Sequence, residues 1–184
     1  GDLMPLRPRA SFNLDDMEYP SNASAQAQWS GTGVTVAFST TKQEGNFSLS
    51  LAIDGTGNRK ATKTQALNLS LYSIIKIWER VNVASSNFQF YLRDSSGNES
   101  YWDLTSNGTQ DTWQQDSITL ASPSSNNGTN AILTAISSWG FLGLDASKTY
   151  LIDTIKSICG LSVGLEGSIV GGFYDKVYIG NVKV

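Results

Sequence analysis

The stretch FQFYLRDSSGNESYWDL, Phe88 to Leu104, decides how the rest of the chain is read. Phe88, Phe90 and Leu92 alternate with Gln89, Tyr91 and Arg93, the period-two signature of a strand with one apolar and one polar face. After the turn signal Ser96-Gly97-Asn98, Trp102 and Leu104 continue the apolar set, while Tyr101 and Asp103 take the other side. A helix would bring apolar residues back every three or four positions instead. This segment is two strands joined by a turn.

The same grammar extends in both directions. Val34, Val36 and Phe38 alternate with Thr35, Ala37 and Ser39, and Phe47, Leu49, Leu51 and Ile53 alternate with Ser48, Ser50 and Ala52. Leu161, Val163 and Leu165 repeat the pattern near the end and lead into residues 176–184. Asp54-Gly55, Asn107-Gly108 and Asn126-Asn127-Gly128 punctuate the runs. About ten strands result, enough for two packed sheets, so the expected fold is an all-β, two-sheet antiparallel sandwich of jelly-roll type. Residues 131–158 break the rhythm: Ile132, Leu133, Ile136, Trp139, Phe141 and Leu142 show no single period, and a short helix or a long loop is expected near 131–150. Residues 1–11, with two prolines in GDLMPLRPRA, read as an arm or linker, and residues 12–184 as one domain.

Composition removes several chemistries. The 184 residues contain no histidine, the commonest general base near neutral pH and the commonest metal ligand. A single cysteine, Cys159, rules out an internal disulfide and a thiolate zinc site. Its alternation with Leu161 and Val163 reads as the buried face of a strand, where free cysteine behaves as a small hydrophobe. The formal net charge of −3 provides no basic footprint for nucleic acid, and no apolar run approaches the roughly 20 residues that span a bilayer.

Five segments occur in order: LDDMEY (Leu14 to Tyr19), read as an opening strand; KQEGNFSLSLAI (Lys42 to Ile53); LNLSLYSIIKIWERV (Leu67 to Val81); the stretch at Phe88 to Leu104; and the ending IKSICGLSVGLEG with KVYIGNVKV. In that order they resemble the calcium-containing, family 11-like group of jelly-roll carbohydrate-binding modules. The resemblance implies a structural Ca2+, with Asp16, Glu18, Glu44 and Asn181 as its candidate ligands, since calcium takes six to eight hard oxygens. It also implies a β-glucan-like polysaccharide as partner. Gly180 stands where relatives often place an aspartate. Solvated acids that protect strand edges are the plain alternative for these carboxylates.

Saccharide rings need aromatic faces for stacking and planar polar groups for their hydroxyls. With Ile75 and Ile77 inward, Lys76, Trp78 and Arg80 point outward. Together with Gln89, Tyr91, Arg93, Tyr101 and Asp103 they are expected to form one sheet face over three neighbouring strands. Trp78, Arg80, Gln89, Tyr91, Arg93, Tyr101 and Asp103 are therefore the candidate carbohydrate-binding residues. Core packing of Trp78, ring burial of the tyrosines and an Arg93–Asp103 cross-strand pair are the competing structural readings.

Catalysis is not expected. Glycosidases place two carboxylates across the scissile bond, whereas Asp54, Asp94, Glu99, Asp111, Asp145 and Glu166 fall in turns and Glu79 lies opposite Trp78. Asp103 is nearly alone on the proposed face. A non-catalytic, extracellular or cell-surface polysaccharide binder is the leading reading. The rival is a virion or cell-surface decoration or adhesion domain, docked on a larger enzyme, capsid or surface assembly through the N-terminal arm.

Overall fold

The computed structural model describes residues 11–55, 59–83, 88–104, 110–143, 145, 147–159, 178–179 and 182–183. Two six-stranded antiparallel sheets face each other, as the alternation predicts. The first, sheet A, contains β1 (Ser11–Asp15), β3 (Val34–Ser39), β4 (Ser48–Ile53), β6 (Tyr72–Val81), β9 (Gln114–Thr119) and β12 (Thr149–Cys159). Its order is β3-β4-β12-β6-β9, with β1 pairing the far half of β12. The second, sheet B, runs β10-β8-β7-β11-β5-β2, from β2 (Trp29–Thr32), β5 (Lys60–Leu67), β7 (Phe88–Asp94), β8 (Glu99–Leu104), β10 (Ser125–Asn126) and β11 (Ile136–Gly143). A two-strand ladder, β13 (Tyr178–Ile179) with β14 (Val182–Lys183), stands apart from both.

Inward side chains of the two sheets fill the middle. Phe88 of sheet B stacks on Tyr150 of sheet A with ring centroids 3.8 Å apart and 8° between planes, and Phe141 stacks on the same Phe88 at 5.3 Å. Trp29 meets Trp139 edge-on at 5.1 Å. Such pairs add about 0.5–1.5 kcal/mol beyond their area burial, so Phe88–Tyr150 ties the sheets together while the other two pairs consolidate sheet B.

The short helix expected near 131–150 is one turn of 3-10 helix, Leu133–Ala135, and a central strand follows it. Its register slips between Ile136 and Ser138, so Ile136 and Trp139 both turn inward although three residues apart, which hides the period-two pattern. The one α-helix among the described residues is α1, Asn22–Gln28, a short polar segment with no apolar periodicity. Its start is a reciprocal box: Ser24 N–H donates to Ser21 Oγ and Ser21 N–H to Ser24 Oγ, both at 3.1 Å. The opening strand is Ser11–Asp15, not Leu14 to Tyr19. Asp15 Oδ1 accepts the Met17 N–H at 2.8 Å and Met17 adopts φ 59°, which turns the chain out of extended geometry.

Cys159 closes β12 half-buried, opposite Tyr72, rather than fully in the core. The strand expected at Leu161 to Leu165 and residues 1–10 of the expected arm lie outside the described residues, whereas Ser11, the last residue of that arm, opens β1. No helix among the described residues is long and apolar enough to cross a membrane.

Candidate functional site

The seven candidate side chains do not share a face. Trp78 and Arg80 belong to β6 in sheet A, whereas Gln89, Tyr91, Arg93, Tyr101 and Asp103 belong to β7 and β8 in sheet B. Each points outward from its own sheet, as alternation requires, but the chain passes from one sheet to the other between β6 and β7. The two groups therefore lie on opposite outer surfaces of the sandwich.

Sheet B's outer surface carries the denser arrangement. Its register sets Ser125, Tyr101, Tyr91, Gly140, Thr62 and Ser30 in one row across six strands. Gly140, between Tyr91 and Thr62, has no side chain, so the Tyr91 ring lies across β11 and its hydroxyl meets Thr62 Oγ1 at 2.6 Å. A Cβ on Gly140 would sit 2.0 Å from the Ala61 carbonyl oxygen, so only glycine lets β5 come this close.

In the neighbouring row, Lys60 lies beyond Leu142 from Gln89 and Asp103. Its ammonium reaches diagonally over Tyr91, 4.0 Å from the ring centroid, to both oxygens of Glu99 at 2.7 and 2.9 Å. Glu99 also accepts Arg93 Nη1 at 2.7 Å and the Tyr101 hydroxyl at 2.5 Å. Burial alone would raise the Glu99 carboxyl, but the Lys60, Tyr101 and Arg93 donors outweigh it and hold Glu99 below the ordinary carboxylate range. Burial and then the Glu99 bond push Tyr101 up to about 12.

This network corrects one expected role. Tyr91 is 1% exposed, roofed by Lys60, and offers no free ring for stacking. Solvent meets half-buried Tyr101 and Gln89, exposed Asp103 and exposed Arg93. Gln89 Nε2 donates to Asp103 Oδ1 at 2.6 Å, and Arg93 pairs with Glu99 rather than with Asp103. Lys60, Thr62 and Glu99 were missed. Glu99 sits two residues before Tyr101 and so had to share its face, a signal obscured by reading it as a turn residue.

Of the proposed calcium ligands, Glu18 reaches the turn that carries Glu44, but the described carboxylates are already met by protein donors. Asp16 is exposed and its Oδ1 accepts the Glu18 N–H at 3.2 Å. Glu18 Oε1 accepts the N–H groups of Asn46 and Phe47 at 2.7 and 3.2 Å, while Glu44 takes Trp78 Nε1 at 3.2 Å and has Lys156 at 3.6 Å. Asn181 lies outside the described residues, and among those described no group of three or more His, Cys, Asp or Glu side chains is placed to hold a metal. The described carboxylates meet protein donors, so they do not fit a calcium cage by themselves.

No protein-family model matches the sequence, and no curated protein matches it. Solved structures do. The family 11 carbohydrate-binding module of the cellulosomal cellulase Lic26A-Cel5E of Clostridium thermocellum aligns with TM-score 0.63 at 13% identity, over 85% of this chain and 98% of that one. The family 11 module from Clostridium thermocellum in complex with a β-1,3-1,4-mixed-linked tetrasaccharide aligns with TM-score 0.60 at 15% identity, over 81% and 95%. The K2 cleaved adhesin domain of Lys-gingipain aligns with TM-score 0.52 at 12% identity, over 80% and 99%. The chain has the β-sandwich fold of family 11 carbohydrate-binding modules.

Proposed function

We propose that this protein is a non-catalytic carbohydrate-binding module that receives a β-glucan-like chain on the outer surface of sheet B, over β7 and β8. One observation carries the reading. The half-exposed Tyr101 ring stands beside Arg93 and the Gln89–Asp103 pair, and each of these groups is held in place by a hydrogen bond within the same face. A pyranose stacked on Tyr101 would meet planar donors and acceptors already oriented, which lowers the entropy cost of binding. The likeness to a module solved with a mixed-linkage glucan supports this choice of ligand class. It also supports an extracellular or cell-surface setting.

Electrostatics favour binding over hydrolysis. A glycosidase acid must hold a proton near neutral pH, yet Glu99 is kept ionised by three donors. The carboxyl that burial does raise, Glu79, faces the interior between the sheets.

Affinity electrophoresis through mixed-linkage β-glucan tests the reading. Wild type is retarded, and Tyr101→Ala and Arg93→Ala each lose the retardation while keeping the wild-type circular dichroism spectrum at the temperature of the gel. Unretarded wild type, or retardation that both variants keep, sinks it. The adhesion alternative draws on the likeness to the gingipain adhesin domain. It predicts retention on a particle or cell surface that soluble glucan does not compete away.

A further inference from the structure

The outer surface of sheet A holds the second half of the split candidate set, and its side chains are organised in their own right. Asp153 is fully buried there, and its Oδ2 accepts the N–H groups of Gln43 and Glu44 at 2.7 and 2.9 Å. That grip fixes the Glu44 turn against the sheet. Glu44 in turn accepts Trp78 Nε1 at 3.2 Å, so the half-exposed indole is held in one orientation. Gln115 of β9 lies directly opposite Trp78, exposed to solvent. Arg80, two residues along β6, is pinned by Nε to the Asp111 carbonyl at 2.9 Å and by its guanidinium to the Asp111 carboxylate at 3.3 Å.

An ammonium with no ion-pair partner among the described residues, rather than net charge, separates this surface from sheet B. On sheet B, Glu99 and Asp103 balance Lys60 and Arg93. On sheet A each carboxylate is already engaged: Glu44 by Trp78 and Lys156, Asp111 by Arg80, and Asp153 by backbone N–H groups. Lys76 shares the outer face of β6 with Trp78, roughly 7 Å away along the strand, and has no carboxylate partner among the described residues. An oriented indole beside an unpaired ammonium matches a sugar ring whose neighbour carries an anionic group.

We propose a second glycan site, centred on Trp78 with Lys76, Arg80 and Gln115, that takes an acidic polysaccharide of the uronate class. A pyranose would stack on Trp78, the carboxylate of the adjacent ring would meet Lys76, and Arg80 and Gln115 would receive hydroxyls. This site shares no residue with the sheet B face, so either can fail without the other. With both present, one molecule grips a neutral chain on one side and an acidic chain on the other.

Calorimetric titration with an oligogalacturonate, and separately with a mixed-linkage β-glucan oligosaccharide, tests it. The oligogalacturonate binds wild type; Trp78→Ala weakens it by about tenfold or more, and Lys76→Gln weakens it several-fold while flattening its salt dependence. Tyr101→Ala leaves uronate affinity intact, and Trp78→Ala leaves glucan affinity intact. Absence of oligogalacturonate binding, affinity unchanged in Lys76→Gln, or loss of the neutral glucan in Trp78→Ala each overturns the proposal. Lys76→Gln removes no ion pair between the described residues, so it carries the test alone if Trp78→Ala does not fold.

Discussion

Tyr101 donates its hydroxyl hydrogen to Glu99 at 2.5 Å, two residues earlier on the same strand, and that carboxylate is simultaneously the anchor of Lys60 and Arg93. The orientation of the one accessible tyrosine on sheet B thus depends on a buried charge. Glu99→Gln keeps the shape but leaves two cations without their counter-charge. Because Arg93 is half exposed, solvent relieves part of the loss, and the expected cost is about 1–2 kcal/mol. For a chain of this size that lowers Tm by roughly 2–4 °C per kcal/mol, with glucan affinity falling alongside. A variant with wild-type Tm and affinity would show that the network orients nothing.

The same carboxylate sets an acid limit. Glu99 ionises in the folded state below its ordinary range, so its contribution is present above about pH 4.5 and is lost as pH falls through the lower folded value. Acid unfolding followed by tryptophan fluorescence should shift toward neutral pH in Arg93→Ala, which removes one of the donors that hold Glu99 ionised.

Glu79 produces the opposite slope. It is 1% exposed on the inner face of β6, and burial first, then Asp116 beside it on β9, pushes its carboxyl up to about 9. The unfolded chain releases that proton near 4.5, so the contribution is fully present below 4.5 and is lost as pH rises toward 9. The slope is at most about 1.4 kcal/mol per pH unit. Glu79→Gln removes it: Tm of the variant should exceed wild type at pH 8 and approach it at pH 5. Parallel Tm–pH curves would contradict this.

Between the two sheets, Asp15 of sheet A accepts Lys63 of sheet B at 2.6 Å, together with the Tyr19 hydroxyl at 2.6 Å and Trp29 Nε1 at 3.1 Å. Asp15 is 6% exposed, so Lys63→Met strands a buried carboxylate at a cost of about 3 kcal/mol or more. The double variant Lys63→Met/Asp15→Asn should recover part of that in urea unfolding; a double variant worse than the single one would show that the pair is not coupled.

Chelation measures the calcium expectation directly. Since Glu18 and Glu44 are satisfied by protein donors, EDTA should leave the melting curve unchanged. A fall of several degrees that added calcium reverses would place a cation at the turn around Glu44, completed by residues beyond those described.

The alternation at Phe88 to Leu104 was sufficient to read both strands and the outward set Gln89, Tyr91, Arg93, Tyr101 and Asp103, because period two is a local property of extended chain. Sheet membership is not local. Trp78 and Tyr91 both point away from the core, yet nothing in their own strands says that β6 and β7 sit in different sheets. Burial of Tyr91 was equally hidden, since it depends on Gly140 and Lys60, which are remote in sequence. The strand at Ile136 was obscured by its register slip, and α1 by a sequence too short and polar to show helical periodicity.

Gly140 has a consequence for how a ligand can travel. With that position bare, the phenol ring of Tyr91 fills the space above the fourth strand of the sheet, and the Lys60 ammonium crosses over it toward Glu99. Anything laid crosswise over that strand therefore meets the Lys60 side chain, a flexible cover, before it can reach the rigid phenol beneath.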